Sequence, residues 1–171
     1  ILVNNAGTNI RTPTLDTSDE TWRTVLQTNL DSVFFMTRAA GAGMVERGSG
    51  SVIHIGSVAG VVGMPTGVAY GATKAAIGQM TRSLAQEWGP HGVRVNCIAP
   101  WYFHTPLTEK LLAAPDYLAR ILRATPLRRT GRDEDLVGVV VFLASEASAY
   151  VTGQTLAVDG GMSTSAFHPE A

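Results

Sequence analysis

Ser57, Tyr70 and Lys74 stand in a stretch otherwise made almost wholly of small and apolar residues, HIGSVAGVVGMPTGVAYGATKAAIGQM, from His54 to Met80. Tyr70 and Lys74 are four apart, so on a helix they share one face, a turn from each other. A free phenol ionises near pH ~10, too high for a base at neutrality. An ammonium beside it favours the phenolate and draws that value down toward the range of a general acid or base. Such a tyrosine would give a proton to a carbonyl oxygen or take one from an alcohol; the same spacing also suits a pair on a solvated helix face. Ser57 ends an apolar run before the tyrosine. Its hydroxyl would hold a substrate oxygen near Tyr70, or close a strand-terminal turn. Asn29 sits within an apolar stripe of Trp22, Val25, Leu26, Val33 and Met36 at helical spacing. A buried amide without partners costs about 1–3 kcal/mol, so Asn29 either bonds a neighbouring backbone or holds a water or a lysine in a proton relay.

The elements that position these residues follow from the apolar pattern. Strands are predicted over residues 1–4, 51–56 (SVIHIG), 93–99 (VRVNCIA) and 154–158 (QTLAV), each bounded by Gly, Pro or Ser. Helices are predicted from about Thr17, with a capping box from Thr17 to Glu20, to about Arg47; from Val68 to Trp88, closed by Gly89-Pro90; and from Glu134 to Ala144. Strand and helix in alternation predict an α/β fold with a parallel sheet. In such sheets ligands bind beyond the carboxyl ends of the strands, where Asn4-Asn5-Ala6-Gly7, Ser57 and the segment Pro100 to Thr105 all fall. Residues 101–132 interrupt the rhythm with prolines, aromatics and two short amphipathic patterns, as expected of a lid over a substrate site. The small, polar tail after Asp159 is expected to wind over the surface or a partner subunit.

The totals narrow the function classes. The chain has 171 residues, 45% hydrophobic and only 16% charged, enough for one domain with a sizeable core. A net charge of −1 gives no basis for binding nucleic acid or an anionic membrane. A lone cysteine, Cys97, excludes an internal disulfide and suits a reducing cytoplasm. No signal peptide or membrane-span pattern is present, and no metal-ligand cluster is read. The chain opens without Met inside the run Ile1-Leu2-Val3, which reads as the middle of a domain whose front part precedes it.

Taken together, NNAG at 4–7, Asn29, Ser57, Tyr-x-x-x-Lys at 70–74, R-V-N-x-I-A-P at 94–100, Thr105 and V-T-G-Q-x-L-x-V-D-G-G at 151–161 resemble the short-chain dehydrogenase/reductase family. Residues 68–88 are similar to its tropinone-reductase-like and gluconate-dehydrogenase-like members. The resemblance implies the C-terminal portion of a Rossmann-like, doubly wound parallel sheet. It implies an oxidoreductase that interconverts a secondary alcohol and a ketone by hydride transfer with NAD or NADP. Tyr70 would be the acid/base, Lys74 would lower its pKa and bind the nicotinamide ribose, and Ser57 would orient the substrate oxygen. Asn29 would anchor a water linking Lys74 to solvent. Asn4, Ala6 and Gly7 would line the adenosine ribose through their backbone, and Pro100, Phe103 and Thr105 would touch the nicotinamide and phosphates. A homotetramer is implied, with the helices at 18–47 and 68–88 in one interface and the C-terminal strand region in another.

Two departures stand against the resemblance. The family's glycine-rich phosphate loop, and the residue selecting NAD or NADP, have no counterpart; at about 30 residues per βαβ unit, roughly 80–90 residues are expected to be missing. Trp101 stands where the family mostly has Gly. It would crowd the nicotinamide, wall a substrate pocket together with Met64, or pack under the lid. Trp101, Tyr102 and Phe103 together favour an apolar or ring-bearing substrate. A serine hydrolase built on Ser57 fails because the nucleophile-elbow motif needs Gly where Ile55 stands. A truncated, non-catalytic binding or scaffold protein of the same fold remains the alternative.

Overall fold

The computed structural model describes residues 1–65 and 67–164. The end of the tail, residues 165–171, lies outside the described residues, so its expected path over the surface or a partner lies outside them too. Four strands, β1 (Leu2–Asn4), β2 (Gly50–Ile55), β3 (Val93–Pro100) and β4 (Thr155–Val158), form one parallel sheet in the order β1-β2-β3-β4. Leu2 pairs with Val52, Ile55 with Ile98 and Pro100 with Val158. Because strand side chains alternate, the apolar runs fill two faces. Val52, Val93 and Val95 turn to α2 (Ser32–Arg47) and α3 (Val68–Trp88), where Met44 and Ala85 join them. Ile53 and Ile98 turn the other way and pack on Leu143 of α6 (Asp133–Ala144). The sheet is thus covered on both faces, in keeping with the doubly wound, Rossmann-like expectation. No helix among the described residues is long and apolar enough to cross a membrane.

The expected helix over 17–47 is two helices. α1 (Asp19–Leu26) and α2 are joined by a wide π turn at Gln27–Asp31, in which the Ser32 amide donates to the Gln27 carbonyl five residues back. The extra residue resets the phase of the buried face. Val25, Asn29, Val33 and Thr37 are buried at steps of four, whereas Trp22 and Met36 of the expected stripe are 37% and 55% exposed. The helix start also shifts by one residue. Ser18 Oγ accepts from the Thr21 amide, while Thr17 Oγ1 pairs with Thr12 and donates to the Pro13 carbonyl, so the Thr17–Glu20 box does not form.

Residues 101–132 fold as a small separate layer. α4 (Glu109–Leu112) and α5 (Pro115–Ala124) bury Leu112 and Ile121 around Tyr102. Phe103 pairs with Gly131 across this segment, its ring lying where a Gly131 side chain would otherwise stand.

Candidate active site

The carboxyl ends of β1, β2 and β3 open into a cavity of about 510 Å³. Ser57 follows β2 in extended backbone, and its Oγ accepts from the Ala59 amide at 3.1 Å to start a single turn, Val58–Gly60. That turn lies against α3 so closely that a Cβ on Gly60 would fall 2.5 Å from the Lys74 carbonyl carbon. Only glycine lets the loop bearing Ser57 meet the helix bearing Tyr70 and Lys74. Tyr70 lies in the first turn of α3, with Lys74 one turn on, and Ser57 lines the same cavity as both.

Lys74 is buried, and its Nζ donates to the Ile55 carbonyl at 2.8 Å, 5.6 Å from the centre of the Tyr70 ring. Burial lowers its pKa to about 8. Tyr70 runs opposite to the sequence expectation: its pKa is raised, chiefly by burial, with the nearby Ser57 hydroxyl and the Arg11 charge pulling it down. The ammonium that was expected to depress the phenol is turned to the end of β2 instead.

Asn29, at the π turn, uses both ends of its amide. Oδ1 accepts from the Thr8 amide at 2.7 Å, while Nδ2 donates to the Thr8 carbonyl at 2.8 Å and to Thr73 Oγ1 at 3.3 Å. It therefore pins the loop after β1 beside α3. Gly7 follows from this: a Cβ there would lie 3.5 Å from both Asn29 Oδ1 and Lys74 Nζ, filling the space in front of the ammonium.

Of the residues read from sequence, Gly7, Ser57, Tyr70, Lys74, Pro100, Trp101, Phe103 and Thr105 line the 510 Å³ cavity. Met64 and Trp101 join Ser57 and Tyr70 around a smaller adjoining cavity of about 50 Å³. Trp101 also packs within the layer of residues 101–132, its Nε1 donating to Thr125 at the end of α5. Asn4 and Ala6 are absent from the lining; Asn4 is buried toward α2, where its Nδ2 donates to Thr37. Phe103, expected to offer backbone groups, already accepts at its carbonyl from Thr108 Oγ1. Sequence reasoning missed Asn5 and Leu107, which line the larger cavity, and Arg11, which lines the smaller one. The position of Arg11 in the loop directly after a strand's carboxyl end was the available signal.

Residues 1–163 match the family model described as enoyl-(acyl carrier protein) reductase, and the chain belongs to the short-chain dehydrogenase/reductase family. It is 44% identical over 167 residues to a tropinone reductase homologue of Arabidopsis thaliana, covering 98% of this chain and 63% of that protein. It is 44% identical over 163 residues to the L-tagatose-forming galactitol 2-dehydrogenase of Cereibacter sphaeroides, covering 94% and 64%. Among solved structures, gluconate 5-dehydrogenase of Burkholderia cenocepacia, in complex with NADP and tartrate, superposes with a TM-score of 0.94 at 38% identity, over 96% of this chain and 64% of that one. The chain thus spans less than two thirds of each of these proteins.

Proposed function

We propose that this chain carries the acid/base half of an NAD- or NADP-dependent oxidoreductase that interconverts a secondary alcohol and a ketone. The observation that carries this reading is the convergence of Ser57, Tyr70 and Lys74 on one cavity at the carboxyl ends of the strands. The residues fit the nicotinamide-ribose portion of the cofactor. Gly7 leaves open the space before the Lys74 ammonium, where ribose hydroxyls would bond, and Pro100 and Thr105 flank it. When bound, a reduced nicotinamide supplies the hydride to the carbonyl carbon. Ser57 and Tyr70 hold the carbonyl oxygen, and the Tyr70 proton passes to that oxygen as the alcohol forms. Lys74 then stabilises the phenolate left on Tyr70, and Asn29 holds the loop after β1 in register with both. Asn4, the last residue of β1, and Ala6 just after it would line the adenosine ribose through their backbone. The lid role of residues 101–132 is supported by Leu107 and Thr108, which border both cavities.

We place the protein in a reducing compartment such as the cytoplasm, in keeping with its free, buried Cys97. Assembly as a homotetramer is supported by the exposed apolar side chains of Phe34, Phe35 and Met36 on α2. The relatives' names span an acid, a neutral polyol and tropinone, so they leave the substrate open. The reading is tested by titrating the purified protein with NADPH and NADH and assaying ketone reduction. Tyr70→Phe is expected to lower turnover at least ~100-fold, the scale of general acid catalysis, while cofactor affinity stays within a few-fold. Absence of cofactor binding would instead favour a scaffold role.

A further inference from the structure

One side chain, the Trp101 indole, borders three cavities: the active-site cavity of about 510 Å³, the adjoining one of about 50 Å³, and a third of about 490 Å³ between residues 126–131 and the end of β4. The indole is fixed in place. Its Nε1 donates to Thr125 Oγ1 at 3.0 Å, and that buried hydroxyl donates in turn to the Ile121 carbonyl at 2.7 Å. Its ring meets that of buried Tyr102 edge-on, 4.6 Å between centres, and the Tyr102 hydroxyl is itself held by Arg11 at 3.2 Å and by the Tyr117 hydroxyl. The Trp101 amide donates to the Val158 carbonyl at 3.2 Å, which ties the backbone to β4. Turning the indole aside would forfeit its hydrogen bond and its ring contact. The opposite wall of the small cavity is of another kind. Met64 borders both that cavity and an outer one of about 570 Å³, whose lining includes Pro13, Pro65 and Val68. Methionine is unbranched and adaptable, and Met64 is only half-buried. At about 50 Å³ the small cavity has room for on the order of three water-sized groups: a carbonyl carbon, its oxygen and one carbon more.

We propose that Trp101 is a specificity-determining residue: it confines one substituent of the substrate carbonyl to the size of a methyl or hydroxymethyl group, while the other runs past Met64 into the outer cavity. This rests on the oxidoreductase reading of Ser57 and Tyr70. The substrate class is then a ketone that is small on one side, with its alcohol, and ketones broad on both sides are refused. A ketone whose small side must face Trp101 cannot turn over in the site. Hydride and the Tyr70 proton therefore add to it in one orientation, and one enantiomer of the alcohol results. The expectation of an apolar or ring-bearing substrate is narrowed in the same way. A ring is admitted on the Met64 side and excluded on the Trp101 side.

The test uses two isomers, 2-heptanone and 4-heptanone, which share every atom and differ only in where the carbonyl sits, with binding followed by calorimetry alongside turnover. The wild type is expected to favour 2-heptanone at least tenfold in kcat/KM, since a methylene that does not fit costs about 10- to 200-fold, and to form one enantiomer of 2-heptanol in large excess. Trp101→Ala removes the partition toward the 490 Å³ cavity. Its preference is expected to fall toward one through a gain for 4-heptanone, and its enantiomeric excess to fall as well. Added indole, which refills the space, is expected to restore both. Trp101→Phe, which keeps a ring and loses the bond to Thr125, is expected to fall between the two, and it carries the comparison if the alanine variant does not fold. No discrimination between the isomers by the wild type, in binding or in turnover, or an undiminished preference in the variants, overturns the wall. If the wild type binds 2-heptanone in preference to 4-heptanone, the variants lose that preference, and neither ketone is reduced, the wall stands and the oxidoreductase reading falls.

Discussion

Burial at Tyr70 favours the neutral phenol, while the Ser57 hydroxyl and the Arg11 charge favour the phenolate. Burial prevails, so the phenol keeps its proton through neutral pH and is ready to act as an acid. Ketone reduction is accordingly expected to be level between pH 6 and 8. Alcohol oxidation needs the deprotonated phenol and is expected to climb with pH over the same span and beyond. Lys74, lowered to about 8 by burial, carries its charge only in the lower part of that range. Lys74→Met is therefore expected to leave the climb at the same pH and to weaken cofactor binding instead, because the lysine is already neutral where the phenol ionises. Profiles of kcat/KM in both directions from pH 6 to 10 check this; a flat oxidation profile would remove Tyr70 from the role of base.

Placement of Tyr70 and Lys74 depends on one close approach, that of the Val58–Gly60 turn to α3. Because a Cβ on Gly60 would meet backbone atoms, neither side can yield by turning a side chain. Gly60→Ala is expected to cost about 1–3 kcal/mol, the range for overpacking. It would also carry Ser57 away from Tyr70 and lower activity roughly tenfold or more, since small misplacements of reacting groups are costly. Thermal denaturation and turnover of this variant, measured together, check both effects. Short-range features of this kind were legible in the sequence. The bounds of α3 and of all four strands lie within one residue of expectation, because Gly, Pro and Ser flank each apolar run. Ser57, Tyr70 and Lys74 were legible because they meet through one loop and one helix turn. The π turn was not, since its sequence, QTNLD, carries no helix-breaking residue. Nor were the contacts of Arg11, which reaches partners 91 and 106 residues away through the topology of the whole domain.

The molecule as a whole is tied together beneath the site by His54, fully buried on β2. Thr81 on α3 gives its proton to the Ile77 carbonyl at 2.8 Å and so accepts from His54 Nδ1 at 3.0 Å. His54 Nε2 is then left to accept from Thr37 Oγ1 on α2 at 3.2 Å, and Thr37 accepts from Asn4 at the end of β1. One neutral imidazole thus joins two strands and two helices and steadies the strand end from which the loop to Asn5, Gly7 and Arg11 springs. Burial, helped by the Lys74 charge, lowers the His54 pKa from 6.5 to about 4. Between those values the unfolded chain takes up a proton that the folded chain refuses, so stability falls as pH drops from 6.5 toward 4 and is fully present above 6.5. Over the whole window the loss from this site is about 3 kcal/mol, and at pH 5 about 2 kcal/mol. His54→Gln keeps an amide able to donate and accept but cannot titrate. It is expected to be less stable than wild type at pH 7, yet to lose about 2 kcal/mol less on going from pH 7 to pH 5. Urea denaturation of both proteins at the two pH values measures that difference. Parallel losses in the two would place the acid sensitivity of the fold in its carboxylates and not in this histidine.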